Sequence, residues 1–414
     1  MSKAPPPFVA ARKAWRALVP ASMRKYGQGA AIALAQRQVN AALAQGEPSP
    51  KPGPLIVSGL TSGAKGISRA ARLTAEGLRY AGYSPVTHDI ASVFSAADTS
   101  EVRLPVTGAG GVWILHVNAP EAVAALARIS KSDWLGRYRI AYWAYELQRV
   151  PPQWVRAANS FHEIWAPSRF VADALVDSGV KRPVRVMPHP VMLDAPLLAP
   201  HLGADDFVVL AMGDLKSSAA RKNLIGAIDI YKRTFPNEAP STRLILKVQS
   251  EGAHPEFRDA ALAAVAGRGD ILLRTGSLND TEIAQLIASA SVFLSPHRSE
   301  GFGLVIAESF LAGVPSLSTG WSGNMDFMDS LPELLISHTL VPVLDPARIY
   351  RASGLKWAEP DIDDAARKLK ALAASPQLRR DLAARGRAAV EAQVKAWSRE
   401  ALAGTAIARF ASQR

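Results

Sequence analysis

Short apolar runs bounded by polar or glycine-containing stretches recur along most of this chain. Between them lie segments whose apolar residues return every three or four positions. Residues 55–58 read as a strand and 67–80 as a helix. Strand-like runs follow in "PVTHDI", "GVWILHVN", "YRIAYWAYE" and "HEIWAPS", with helical patterns at 120–129 and 168–177. A second series begins with "DFVVLAMGD" and continues through "TRLILKV", "DILLRTG" and "SVFLSP", again with helical segments between. Such alternation predicts an α/β protein with parallel sheets covered by helices on both faces. Residues 378–412 read as helix, with Val390, Val394, Trp397 and Ala401 on one stripe, which serves either to pack the body or to meet a membrane. Residues 1–50 begin with a proline-rich arm. One or two short basic helices are expected after it, with Trp15, Leu18, Val19 and Met23 among Arg12, Lys13, Arg16, Arg24 and Lys25. They suit a membrane interface or a place against the body.

Composition narrows the class. A chain of 414 residues with 48% hydrophobic content is long for one core and natural for two α/β domains. No run approaches the roughly eighteen apolar residues of a membrane span, and the N-terminus lacks the apolar region of a secretory signal. A cytoplasmic protein is therefore expected. The absence of cysteine excludes disulfides, thiolate metal sites and a cysteine nucleophile. The net charge is +12, of which residues 1–50 carry +6 and residues 365–414 carry +8, leaving −2 between them. Two basic ends on a near-neutral middle face a phospholipid surface or nucleic acid, or simply keep the ends solvated.

The most informative stretch is "SVFLSPHRSEGFGLVIAESFLAGVPSLSTGWSGNMDFMD", residues 291–329. It reads as strand, polar glycine-rich loop and helix, the helix starting near Gly303. Its first N–H groups and partial positive charge make an anion site, and Gly301 and Gly303 let the backbone approach a ligand. Glu300 precedes that site and Glu308 follows about a turn and a half into the helix. Each carboxylate is placed to accept hydrogen bonds from a pair of hydroxyls; the alternative is a surface loop and a solvated helix face. Between the first strand and its helix lies "GLTSGAKG", where Gly63 and Gly66 form either a ligand cradle or a tight turn. Polar residues that follow strand runs, His116, Asn118, Glu146 and Arg149, fall toward the carboxyl end of the first sheet, where ligands sit. The alternative for them is a cap or turn role.

The string "EGFGLVIAE" closely resembles the donor-site motif of retaining glycosyltransferases of the GT-B fold, the family 4 group in particular. The resemblance implies two Rossmann-like domains facing a cleft, with the C-terminal helix crossing back to the first. It places a basic arm at 1–50, an acceptor domain at 51–188, with "VRVMPHPVML" resembling the link that follows it, a nucleotide-sugar domain at 189–378 and an amphipathic helix at 379–414. By position, Glu300 meets the donor sugar, the backbone of Gly301, Phe302, Gly303 and Leu304 meets the diphosphate, and Glu308 holds the ribose. The basic pair that clamps the diphosphate falls on Arg221 and Lys222, after the strand that ends at Gly213. Where many members carry Gly-Arg, Asp214 follows Gly213 here, and Ser322-Gly323-Asn324 replaces a Gly-Gly-x-x-Glu type turn. The loop at 62–66 lies at the cleft in that family.

The implied function is transfer of a hexose, with retention, from a nucleotide sugar to a saccharide or lipid-linked saccharide in cell-surface polysaccharide synthesis. No metal or cofactor is expected, since the cationic pair neutralises the leaving group. The expected partners are the donor, the acceptor and an anionic membrane surface on the inner face of the membrane; nucleic acid is not among them. Rival readings are a nucleotide-sugar 2-epimerase and a non-catalytic basic membrane or nucleic-acid binding protein on the same fold.

Overall fold

The computed structural model describes residues 21–63, 66–94, 102–106, 110–192, 206–250, 255–350 and 354–412. The first apolar series forms a six-stranded parallel sheet: β1 (Leu55–Gly59), β2 (Val86–Asp89), β3 (Val112–His116), β4 (Tyr138–Tyr142), β5 (Glu163–Ala166) and β6 (Val184–Val186). Its order is β2-β1-β3-β4-β5-β6. The second series forms another, from β7 (Phe207–Asp214), β8 (Thr242–Gln249), β9 (Ile271–Arg274), β10 (Val292–Ser295), β11 (Ser316–Thr319) and β12 (Leu335–Ile336), ordered β12-β11-β10-β7-β8-β9. Every residue of β1, β3 and β5 is buried, as expected for parallel strands with helices on both faces. In each sheet the chain leaves its first strand outward and then returns to that strand's other side. The switch points fall between β1 and β3 and between β7 and β10. Ligands of open parallel sheets collect at such points, beyond the carboxyl ends of the strands.

Helices of the described chain include α1 (Ala21–Ala44), α2 (Gly66–Tyr80), α3 (Ala119–Arg128), α4 (Arg169–Asp177), α5 (Leu224–Thr234), α6 (Pro255–Val265), α7 (Asp280–Ala288), α8 (Leu304–Leu311), α9 (Ile362–Ala374) and α10 (Pro376–Val394). An antiparallel hairpin, β13 (His338–Pro342) with β14 (Lys356–Pro360), stands outside both sheets. The N-terminal helix α1 is longer than the short basic helices expected and packs on α3, burying Val39 and Ala42 in the first core. The amphipathic pattern at Trp15, Leu18 and Val19 lies outside the described residues. No helix among the described residues is long and apolar enough to cross a membrane.

The tail crosses back to the first sheet, but not as one helix. The chain leaves α10 at Val394, makes a turn at Lys395–Trp397, and restarts twice, at Ser398 and Thr405, whose hydroxyls cap the next N–H groups. Trp397 is fully buried, donates its indole N–H to the Pro188 carbonyl at 2.6 Å, and lies edge-on to Trp165. A Cβ at Gly77 would come within 2.7 Å of that indole, so α2 needs glycine there. Leu402, Ile407 and Ala411 join Leu55 and Val57 in the same core, and Gly53 donates its N–H to the Phe410 carbonyl and accepts from the Ser412 N–H. Ala401 is exposed, so the predicted stripe ends at Trp397 and faces protein rather than lipid.

Candidate active site

The loop from β10 to α8 is held from beneath. His297 is buried, with its ring nitrogens near Ser295 Oγ (3.0 Å) and Asn324 Oδ1 (3.2 Å). Ser322 Oγ accepts from the Glu300 N–H at 2.7 Å, and the Gly323 N–H donates to the Glu300 carbonyl at 2.9 Å. A Cβ at Gly323 would sit 2.2 Å from the Gly301 oxygen, so only glycine allows this approach. The Ser322-Gly323-Asn324 turn is thus the seat of the Glu300 backbone. Gly303, with φ +92°, turns the chain into α8.

A short helix, Ala219–Lys222, brings in the cations. It is entered through Ser218 at φ +79° and left through Asn223 at φ +52°, whose side chain donates to the Pro296 carbonyl at 2.9 Å. Arg221 is 2% exposed; its guanidinium donates to the carbonyls of Ser217 (3.1 and 3.2 Å) and Ser299 (2.7 Å) and lies 3.2 Å from Glu300 Oε2. Lys222 Nζ donates to Glu300 Oε1 at 2.5 Å. Burial raises the Glu300 carboxyl, but Lys222 and Arg221 outweigh it and hold the group down at about 2. Glu146, from the first half, stands 3.7 Å from Arg221 and accepts the Tyr350 hydroxyl at 2.8 Å.

Opposite, His116 is 3% exposed, and neither ring nitrogen has a hydrogen-bond partner among the described residues. Burial and the neighbouring His189 push it well below the usual imidazole value, so it is a neutral ring at pH 7. It packs 4.2 Å from Tyr142, whose hydroxyl meets His189 Nδ1 at 3.0 Å. Asn118 Oδ1 accepts from the Ala144 N–H at 3.0 Å, tying the ends of β3 and β4.

Arg221, Lys222, Glu300, Glu146, His116 and His189 line one cavity of about 410 Å³ between the carboxyl ends of the two sheets. Of the candidates named from sequence, Gly66, His116, Asn118, Glu146, Gly213, Arg221, Lys222, Glu300, Gly301, Phe302, Gly303, Leu304 and Glu308 reach it. Gly63 does not line it. Its N–H closes a turn on the Leu60 carbonyl at 3.1 Å and its carbonyl accepts from Arg72 at 3.0 Å. Arg149 is also away from the cavity, bonded to the Asp177 carbonyl.

Sequence reasoning missed Arg69, Asp280, Tyr142, His189 and Tyr350. Arg69 ion-pairs with Glu308, a residue 239 positions later, and Tyr350 bonds Glu146 across 204 positions. Neither has a local motif, so only the fold reveals them. His189 had a signal, lying between the prolines of the link.

The sequence profile described as "Family 4 Glycosyltransferase in conflict systems" matches residues 169–403, more than half of the chain. No curated protein matches. Anabaena HepE, in complex with UDP and glucose, aligns over 84% of this chain and 98% of its own, at TM-score 0.57 and 13% identity. A trehalose-6-phosphate structure from E. coli bound with UDP-2-fluoro glucose aligns over 72% and 73%, at TM-score 0.52 and 13% identity. An S. aureus TarM mutant in complex with fondaparinux, α-GlcNAc-glycerol and UDP gives TM-score 0.49 at 11% identity, and this chain spans only 53% of it. At these identities the likeness speaks for the fold.

Proposed function

The chain belongs to the family 4 glycosyltransferases of conflict systems and has the GT-B fold, and on that premise we propose that it transfers a hexose with retention from a nucleotide sugar to a saccharide or lipid-linked saccharide. The observation that carries this reading is the convergence, in one cavity between the sheets, of Glu300 with Lys222 and Arg221, the α8 N-terminus, and Glu308. In the proposed reaction the bond from the anomeric carbon to the leaving phosphate oxygen breaks. The acceptor oxygen bonds the anomeric carbon on the same face, and its proton passes to the departing diphosphate.

Lys222, Arg221 and the α8 N-terminus neutralise the charge that develops on that diphosphate; preorganised groups of this kind usually supply the largest share of catalysis. Glu300 faces the sugar. His116, neutral and with both nitrogens unpaired among the described residues, offers a hydrogen bond to a sugar or acceptor hydroxyl. The two fixed cations supply the positive charge the leaving group needs, so no metal is required in this proposal, and turnover in EDTA is expected to persist. Two neighbours above TM-score 0.5 were solved with uridine diphosphate compounds, which makes a UDP-sugar the first donor to try. The basic ends support an acceptor at an anionic membrane surface, in cell-surface polysaccharide synthesis.

The test is a panel of nucleotide sugars scored by hydrolysis and by transfer to saccharide and lipid-linked saccharide acceptors, with linkage read by NMR. Donor-dependent transfer with retained configuration is expected. Glu300→Gln should lose turnover far more than nucleoside diphosphate affinity, because the carboxylate meets the reacting sugar. Inverted products, or equal losses in the two measurements, overturn the assignment.

A further inference from the structure

Glu308 is 6% exposed and sits in the second half of the molecule, yet its cation comes from the first half. Arg69, in the first turn of α2, donates Nε–H to Glu308 Oε1 and lies 3.0 Å through Nη1 from Asp280 Oδ2. Asp280 opens α7 and also takes Arg72 Nη2 at 2.6 Å, and Arg72 Nη1 donates to the carbonyls of Thr61 (2.7 Å) and Gly63 (3.0 Å). Asp280 is not needed as a helix cap, since Asn279 and Glu282 form a capping box there. The relay therefore runs from the β1 loop through Arg72, Asp280 and Arg69 to Glu308, and both Arg69 and Glu308 line the cavity.

We propose that Arg69 is a positioning residue of the nucleotide subsite: it keeps the buried Glu308 carboxylate ionised and oriented to accept hydrogen bonds from the hydroxyl pair of the donor ribose. The inference rests on reading Glu308 as the ribose-binding carboxylate. A carboxylate offers about four lone-pair positions. Arg69 uses Oε1 and leaves Oε2 for a hydroxyl. Two charged groups act directly on Glu308, Arg69 from α2 and Asp280 from α7, with Arg72 reaching it through Asp280. Burial, with a smaller push from Asp280, holds its carboxyl above the usual carboxylate range, and Arg69 opposes that rise. Without Arg69 the group takes up a proton at higher pH, and the protonated acid loses an acceptor position that the ribose needs.

Isothermal titration of the full chain with UDP, GDP and ADP between pH 6 and 9 tests this in wild type, Arg69→Met, Arg69→Lys and Glu308→Gln, alongside thermal melts. If no diphosphate binds, or Glu308→Gln binds as tightly as wild type, the reading of Glu308 falls and takes the inference with it. If Glu308→Gln weakens binding, Arg69→Met is expected to weaken it too. That loss should grow as pH falls, by up to about tenfold per pH unit below the new carboxyl pKa. Arg69→Lys should restore the profile of wild type. Arg69→Gln serves the same test should Arg69→Met not fold. Unchanged affinity and pH profile on loss of Arg69 overturn the proposal. Tighter binding at every pH does so too, since it would make Arg69 a competitor of the ribose.

Discussion

Arg221 and Lys222 are adjacent in sequence but differ in what their charges also do. The Arg221 guanidinium is spent on the carbonyls of Ser217 and Ser299 as well as on Glu300, so it holds two loops together while presenting its charge. Lys222 keeps a side chain 21% exposed and bonds Glu300. Lys222→Ala is therefore expected to lose about 10²–10³ in turnover, the usual cost of one stabilising donor, and some stability as well, because Glu300 is left with Arg221 as its remaining cation. Arg221→Ala should lose turnover similarly and also cost about 3–5 kcal/mol of stability, as happens when one partner of a buried ion pair is removed. Denaturant titration separates the two. Glu300 adds a pH test. Its folded-state pKa is depressed from 4.5 to about 2, so its stabilising contribution is present above 4.5 and lost as pH falls through 2. Glu300→Gln should thus be less stable than wild type at pH 7, with the gap closing on acidification toward pH 2. A gap that stays constant would show that the ion cluster contributes nothing to folding.

Elements were legible where their signal is local. Apolar runs marked the strands because parallel strands are buried on both faces, and the glycine-rich approach to α8 was marked by residues that tolerate close backbone contact. Gly303 and Gly301 nevertheless differ. At φ +92°, and with Ile306 Cδ1 3.0 Å and Asn324 Cβ 3.2 Å from an added Cβ, Gly303→Ala should cost about 1–3 kcal/mol. An added Cβ at Gly301 meets nothing closer than Ala144 Cβ at 3.5 Å, so Gly301→Ala should melt normally, and any loss of nucleoside diphosphate affinity then reports ligand approach. The tail was misread because a stripe at steps of four, three and four looks continuous, while the capping residues Ser398 and Thr405 mark the breaks. Trp397→Ala, which empties the contact between α2, Trp165 and the Pro188 carbonyl, is expected to cost about 3–5 kcal/mol. The cross-cleft pairs were illegible for the opposite reason: Arg69 and Tyr350 take their meaning from partners more than 200 positions away, and no spacing rule encodes that distance.

At the scale of the whole molecule, the positive charge sits at the two ends of the chain. Val390 and Trp397 are buried, so the C-terminal stripe is spent on the protein, and α1 likewise buries Val39 and Ala42. Cations available to meet a membrane include those of residues 1–20, with four Lys/Arg and no acid, and exposed arginines of the tail such as Arg409. Each basic residue that reaches an anionic leaflet contributes about 1 kcal/mol, enough for reversible attachment when four or five act together. Salt should weaken that attachment, because the Debye length falls from about 8 Å at physiological ionic strength to about 3 Å at 1 M. Liposome flotation with anionic and neutral vesicles should show binding to the anionic set at low salt, release at high salt, and a marked loss when residues 1–20 are removed. The deletion should stop there, because α1 is part of the first core and its removal would confound folding with attachment. Full-length protein that ignores anionic vesicles at low salt would free the acceptor from the membrane and leave a soluble saccharide as the substrate to pursue.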